Sequence, residues 1–215
     1  MAHGADIHAV DDMGNTLLIS AIEHNCDAVE AMLGYGSDVH AKTKRGWTAI
    51  HATAMAYDEK QAEYGGNVNI ATKGGNTPLT LWVSSESAPA LRTLLTLGAK
   101  ADHRDKRGLC ALHYAAAVVP NGDVSVKVLL EGGANPALKD RQGYTALHFA
   151  AGSFARESIQ MLLAIGVDIN AVSKRGETPL AVVETREPLL AFTEAPSAEE
   201  YAETAALLRQ AGARK

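Results

Sequence analysis

The sequence predicts an all-α solenoid of stacked helix-turn-helix units with projecting β-hairpin-like loops. Two observations carry this. Gly14, Gly46, Gly75, Gly108, Gly143 and Gly176 recur at spacings of 32, 29, 33, 35 and 33 residues, and a second glycine lies ten residues before each of them. After each opening glycine the same phrase returns, as in Gly46-Trp-Thr-Ala-Ile-His51, Gly75-Asn-Thr-Pro-Leu and Gly143-Tyr-Thr-Ala-Leu-His148. A fixed period near 33 residues signals repeated units that cannot bury an apolar face alone and must stack.

Each unit begins with a helix start. Thr16, Thr48, Thr77, Thr145 and Thr178 offer a capping hydroxyl, and Pro78 and Pro179 stand where a missing N–H costs nothing. Cys110 replaces the threonine once, which predicts a less well capped helix. The residue four after each glycine (Leu18, Ile50, Leu79, Leu112, Leu147, Leu180) is expected to point inward, with small residues such as Ala115-Ala116 and Ala150-Ala151 behind it. A second helix then closes on an apolar pair: Met32-Leu33, Leu94-Leu95, Leu129-Leu130, Leu162-Leu163 and Leu207-Leu208.

These motifs, together with the Leu-Leu-x-x-Gly-Ala ending at 94–99 and the loops Gly36-Ser-Asp-Val-His40 and Gly166-Val-Asp-Ile-Asn170, resemble the ankyrin-repeat family over nearly the whole chain. The expected organisation is a single domain, 1–215. It comprises a trailing loop of a truncated repeat at 1–13, repeats at 14–45, 46–74, 75–107, 108–142 and 143–175, and a C-terminal repeat with an insertion at 176–215. The opening loop reads as the end of a repeat whose helices are absent, hence a fragment or a start set inside a repeat. In the second unit the polar run Asp58-Glu59-Lys60-Gln61 stands where a second helix is due, through either a true deletion or omitted residues, with omission favoured. The fourth unit carries a turn-rich insertion at Val119-Pro120-Asn121-Gly122-Asp123, and the sixth a longer one around 187–196.

The 215 residues are 47% hydrophobic and 21% charged, with a net charge of −5 that argues against a generally basic nucleic-acid binder. No apolar run is long enough to span a membrane. Cys26 and Cys110 are too few and too far apart for a disulfide framework and read as buried thiols in a reducing compartment. Phosphate-cradling, dinucleotide-binding, zinc-protease and serine-hydrolase motifs are missing. Of eight histidines, His51, His113 and His148 share one repeat position, so whole helix layers of roughly 8–10 Å separate them; zinc ligands must approach one ion to about 2 Å. The resemblance implies that they make structural hydrogen bonds. Neither a cofactor, a metal nor a Cys110–His113 nucleophile is expected.

The charge is unevenly placed. The nine-residue segments between paired glycines hold 12 Lys/Arg against 8 Asp/Glu, a net +4, whereas the remainder holds 8 against 17, a net −9. Lys42, Lys44, Arg45, Lys73, Arg104, Lys106, Arg107, Lys139, Arg141, Lys174 and Arg175 crowd the loop tips, and Trp47, Leu109 and Tyr144 directly follow opening glycines. In an ankyrin-like stack these tips form one edge of a concave face. The expected function is therefore a non-catalytic, monomeric, cytoplasmic or nuclear protein-interaction module binding an acidic partner protein through that face. Nucleic acid is not an expected partner. The alternatives are a regulatory or targeting fragment of a larger, even enzymatic, protein and a microbial immunity or effector protein.

Overall fold

The computed structural model describes residues 6–24, 28–56, 66–83, 87–118, 122–185, 189 and 197–214, without the side chains of 54–56. Two compact units emerge, Met1–Lys100 and Ala101–Lys215. Among the described residues the secondary structure is helical, with isolated antiparallel bridges at Val10–Thr16 and Lys139–Thr145.

The first unit contains α1 (Leu17–Glu23), α2 (Val29–Gly34), α3 (Ala49–Ala56), α4 (Pro78–Trp82) and α5 (Ala88–Thr96). Thr16 and Thr77 cap α1 and α4 by accepting the amides of Ile19 and Thr80, and Pro78 opens α4 as its sequence position requires. Helix α1 packs on α2 and α3, while α4 joins α3 and α5. Leu18, Ile19, Ile22 and Val29 form one core, with Met32, Leu33 and Val39 packed against it.

The second unit contains α6 (Ala111–Ala117), α7 (Gly122–Glu131), α8 (Ala146–Gly152), α9 (Arg156–Ala164), α10 (Pro179–Thr185) and α11 (Ala198–Gln210). Helices α6, α8 and α10 pack side by side, each backed by its own second helix α7, α9 or α11. Every residue of α6 and α8 is buried, and their alanines let the backbones approach closely. The six inward apolar residues predicted from the repeat phrase are all buried, none more than 4% exposed. In the second helices one leucine of each pair is buried in α5, α7, α9 and α11, whereas Met32 and Leu33 of α2 are both half-buried.

Gly122 and Asp123 belong to the first turn of α7 rather than to a turn-rich insertion. Replacing Gly122 with any larger residue would set a Cβ 2.4 Å from the Ala115 carbonyl oxygen, so close helix approach, not turn geometry, explains that glycine. Val119, Pro120 and Asn121, the polar run 58–61, Cys26 and, apart from Leu189, the insertion at 187–196 lie outside the described residues.

Candidate functional site

Each loop tip is built around one side-chain oxygen three residues before the opening glycine. Asp11, Thr43, Thr72, Asp105, Asp140 and Ser173 occupy this position. Their backbone closes the tip twice: the residue's N–H donates to the carbonyl four ahead, as Asp140 does to Tyr144, and its carbonyl accepts the glycine amide, as Asp140 does from Gly143. The side chain then gathers the remaining amides. Asp140 Oδ1 accepts from Gln142 (2.9 Å) and Tyr144 (2.8 Å), and Asp105 Oδ1 from Arg107 (2.8 Å) and Leu109 (2.9 Å).

Neighbouring tips are tied together within each unit. The amides of Lys44 and Lys73 donate to the carbonyls of Met13 and Arg45, and those of Arg141 and Lys174 to the carbonyls of Arg107 and Gln142. The backbones meet so closely that a Cβ on Gly143, whose φ is +87°, would lie 2.9 Å from the Lys174 nitrogen. Sequence period thus becomes spatial register.

The histidines fix the inner helices to these loops. In His51, His113 and His148, Nδ1 accepts the backbone N–H of Thr48, Cys110 and Thr145 at 3.2, 3.1 and 3.1 Å. An accepting Nδ1 places the ring hydrogen on Nε2. His113 Nε2 donates to the Leu138 carbonyl and His148 Nε2 to the Glu177 carbonyl, both at 3.1 Å. Burial holds all three rings below the usual histidine range. His51 falls to about 4: burial lowers it, the Asn76 and Ile70 backbone offsets only part of that, and Lys42 adds to the depression.

The weaker cap expected at Cys110 is therefore corrected. His113 takes the Cys110 amide just as His148 takes that of Thr145, and the Cys110 sulfur sits 3.0 Å from the same ring nitrogen. The same reciprocal capping box is present with cysteine at this position as with threonine at 145. The Cys110 thiol is buried, which pushes its pKa up and leaves it a poor nucleophile.

The candidate binding residues divide into distinct sets. Lys42, Lys44, Arg45, Lys73, Lys106, Arg107, Arg141, Lys174 and Arg175 are exposed at the tips. Arg104 and Lys139 are exposed too but serve as staples between loops, donating to the Lys139 and Val172 carbonyls respectively. Arg107 is held by the Tyr114 hydroxyl at 2.8 Å and the Asp105 carboxylate at 3.6 Å, while Tyr114 donates to Asp105 at 2.6 Å. Leu109 and Tyr144, placed by sequence among the partner anchors at the tips, are 2% and 5% exposed. Their amides are turned in to Asp105 and Asp140, which draws the side chains under the loop. Trp47 is half-buried, its ring centroid 6.1 Å from that of His51.

Behind the tips of the second unit lies a groove of about 490 Å³. Leu109, Tyr144 and Phe149 form its apolar floor, Lys106, Arg107, Arg141 and Arg175 its basic rim. Asp140 and Glu177 also line it, but Asp140 is occupied by two amides and Glu177 accepts the Tyr144 hydroxyl. A second groove, of about 430 Å³, lies in the first unit between Met13, Asn15, Arg45 and Trp47. Among the described residues no three His, Cys, Asp or Glu side chains are grouped to hold a metal, and no helix is long and apolar enough to cross a membrane.

The Asp, Thr or Ser three residues before each glycine went unread in the sequence, although its polarity recurs in all six loops. Its varying identity hid a constant function: any short side chain with an acceptor oxygen gathers the tip amides.

Comparison with known proteins agrees with this architecture. The chain is similar to the human transient receptor potential cation channel subfamily A member 1, with 27% identity over 116 residues, covering 51% of this chain and 10% of the channel. It spans only that small part of the relative's length. A crystal structure of the ankyrin repeat domain of Bcl-3, described as a unique member of the IkappaB protein family, superimposes with a TM-score of 0.74 at 23% identity, covering 96% of this chain and 87% of that one. The model of ankyrin repeats (3 copies) matches residues 17–105 and 81–173. Through that match, which spans more than half of its residues, the chain belongs to the ankyrin-repeat family.

Proposed function

We propose that this chain is a non-catalytic protein-interaction module that holds an acidic surface of a partner protein against its loop tips and the grooves behind them. Ankyrin repeats generally mediate protein–protein interaction. The observation that carries the finer reading is the second unit's groove, where cations on successive hydrogen-bonded loops rim an apolar, aromatic floor. Such a surface steers an acidic partner and offers it buried contact area. The exposed cations of the rim would supply the recognition, over a floor that is only 2–5% exposed. A monomer resident in cytoplasm or nucleus is consistent with this role.

The similarity to a short segment of a much longer channel supports a second reading, a regulatory or targeting part of a larger protein. In either case the surface does the work. The test is affinity capture by the intact chain and by a variant carrying Arg45→Glu, Arg141→Glu and Arg175→Glu. Arg107 is left alone because reversal would break its bonds to Tyr114 and Asp105. Loss of the captured protein at unchanged melting temperature is expected. Unchanged capture would overturn the proposal.

A further inference from the structure

We infer that the groove of the Ala101–Lys215 unit takes an extended, polyproline-II-like peptide of the partner whose carboxylates recur at every third residue, with an apolar side chain between them seated over Tyr144 and Phe149. This rests on the interaction reading above and adds the form and spacing of the ligand. Three observations combine.

The first is register. The Arg141 and Lys174 amides bind carbonyls of the preceding loops, so the tips bearing Lys106, Arg141 and Arg175 are held one repeat apart and do not move independently. Packed helix layers lie about 8–10 Å apart. A polyproline II chain rises about 3.1 Å per residue with three residues per turn, so residues i, i+3 and i+6 share one face about 9 Å apart. A β-strand alternates faces at every residue and would turn the i+3 side chain away. Of these two extended forms, the threefold one presents carboxylates three residues apart to successive tips.

The second is charge. Both acids lining the groove already have partners: Asp140 accepts two loop amides and Glu177 the Tyr144 hydroxyl. Arg107 is held by Tyr114 and Asp105, whereas Arg141 and Arg175 make no ion pair among the described residues. The lining thus sets four cations against the two carboxylates of Asp140 and Glu177, neither of which pairs with Arg141 or Arg175, and guanidinium groups suit carboxylates through two parallel hydrogen bonds.

The third is the floor. Tyr144 and Phe149 stand edge to face with centroids 6.2 Å apart, and Leu109 lies beside them in the groove lining. These side chains are packed and only 2–5% exposed, so they offer a peptide a fixed but small apolar contact.

The experiment uses the full chain and short fluorescent synthetic peptides in anisotropy titrations at low and raised salt. One peptide carries glutamates at i, i+3 and i+6 with a leucine between them in a proline-rich frame. A second has the same composition with glutamates at i, i+2 and i+4, and a third has glutamine for glutamate. The first is expected to bind about tenfold tighter than the second, to weaken with salt, and to lose its advantage in R141E/R175E. Equal affinity for both spacings, binding that survives R141E/R175E, or no binding of any peptide overturns the inference. Capture of a folded partner that stays sensitive to R141E/R175E while the peptides fail would retain the interaction reading and discard only the peptide.

Discussion

His51 offers a sharp test of how the inner helices are held. Its ring is fully buried and neutral, with Nδ1 on the Thr48 amide, Nε2 lacking a partner, and a pKa depressed to about 4 by burial. In the unfolded chain the ring returns to about 6.5. Unfolding at pH values between these two therefore takes up a proton. Stability contributed by the neutral ring is complete above pH 6.5 and is lost as pH falls through the window from about 6.5 to about 4. Linkage gives about 1.3 kcal/mol lost from His51 alone between pH 7.5 and 5.5, approaching about 3 kcal/mol at the lower limit. Urea unfolding at pH 7.5 and 5.5 should show at least the smaller loss, and His51→Gln should reduce the difference between the two pH values by that amount. The ring protons should titrate in NMR with a midpoint near 4. A midpoint at or above 6.5, or a His51→Gln variant with the same pH dependence as the parent, would refute the assignment.

Three further outcomes follow from the loop scheme. Gly143→Ala should lose about 2–3 kcal/mol in urea unfolding, because strain at φ +87° adds to a 2.9 Å clash with the Lys174 backbone; Gly166→Ala, at φ +79° with open space around it, should lose only about 1. Asp105→Ala should cost about 2–4 kcal/mol by taking the acceptor from the Leu109 and Arg107 amides and from the Tyr114 hydroxyl proton, and thermal melts of this variant beside Lys106→Ala, which should be near neutral, will check it. Cys110→Thr should leave stability within about 0.5 kcal/mol of the parent, since the His113 cap does not depend on the sulfur. In a Cys26→Ser background the native Cys110 thiol should resist a thiol reagent until urea is added.

The glycine period, the helix-opening phrase and the inward leucines were fully legible in the sequence, because each is a local requirement of backbone conformation or burial. A positive φ at Gly143, a proline at the start of α4 and a buried Leu147 follow from chain geometry that one repeat already encodes. The net +4 of the loops was legible as well, since counting does not depend on packing.

How those charges were to be used was settled by contacts between repeats. Arg104 and Lys139 look the same as Lys106 and Arg141 in the sequence, yet the first two reach carbonyls some 33–35 residues ahead while the second two rim a groove. Leu109 and Tyr144 occupy the position of exposed anchors but became its floor, because Asp105 and Asp140 turn their amides inward. Cys110 broke the threonine pattern without breaking the cap, since a histidine three residues on supplied the acceptor. Periodicity fixes which residue stands at which level of the stack, for it is a property of the chain alone. Which of them faces a neighbour's carbonyl, and which faces a partner, depends on the loop one repeat away, and only the folded stack brings that loop within hydrogen-bonding distance.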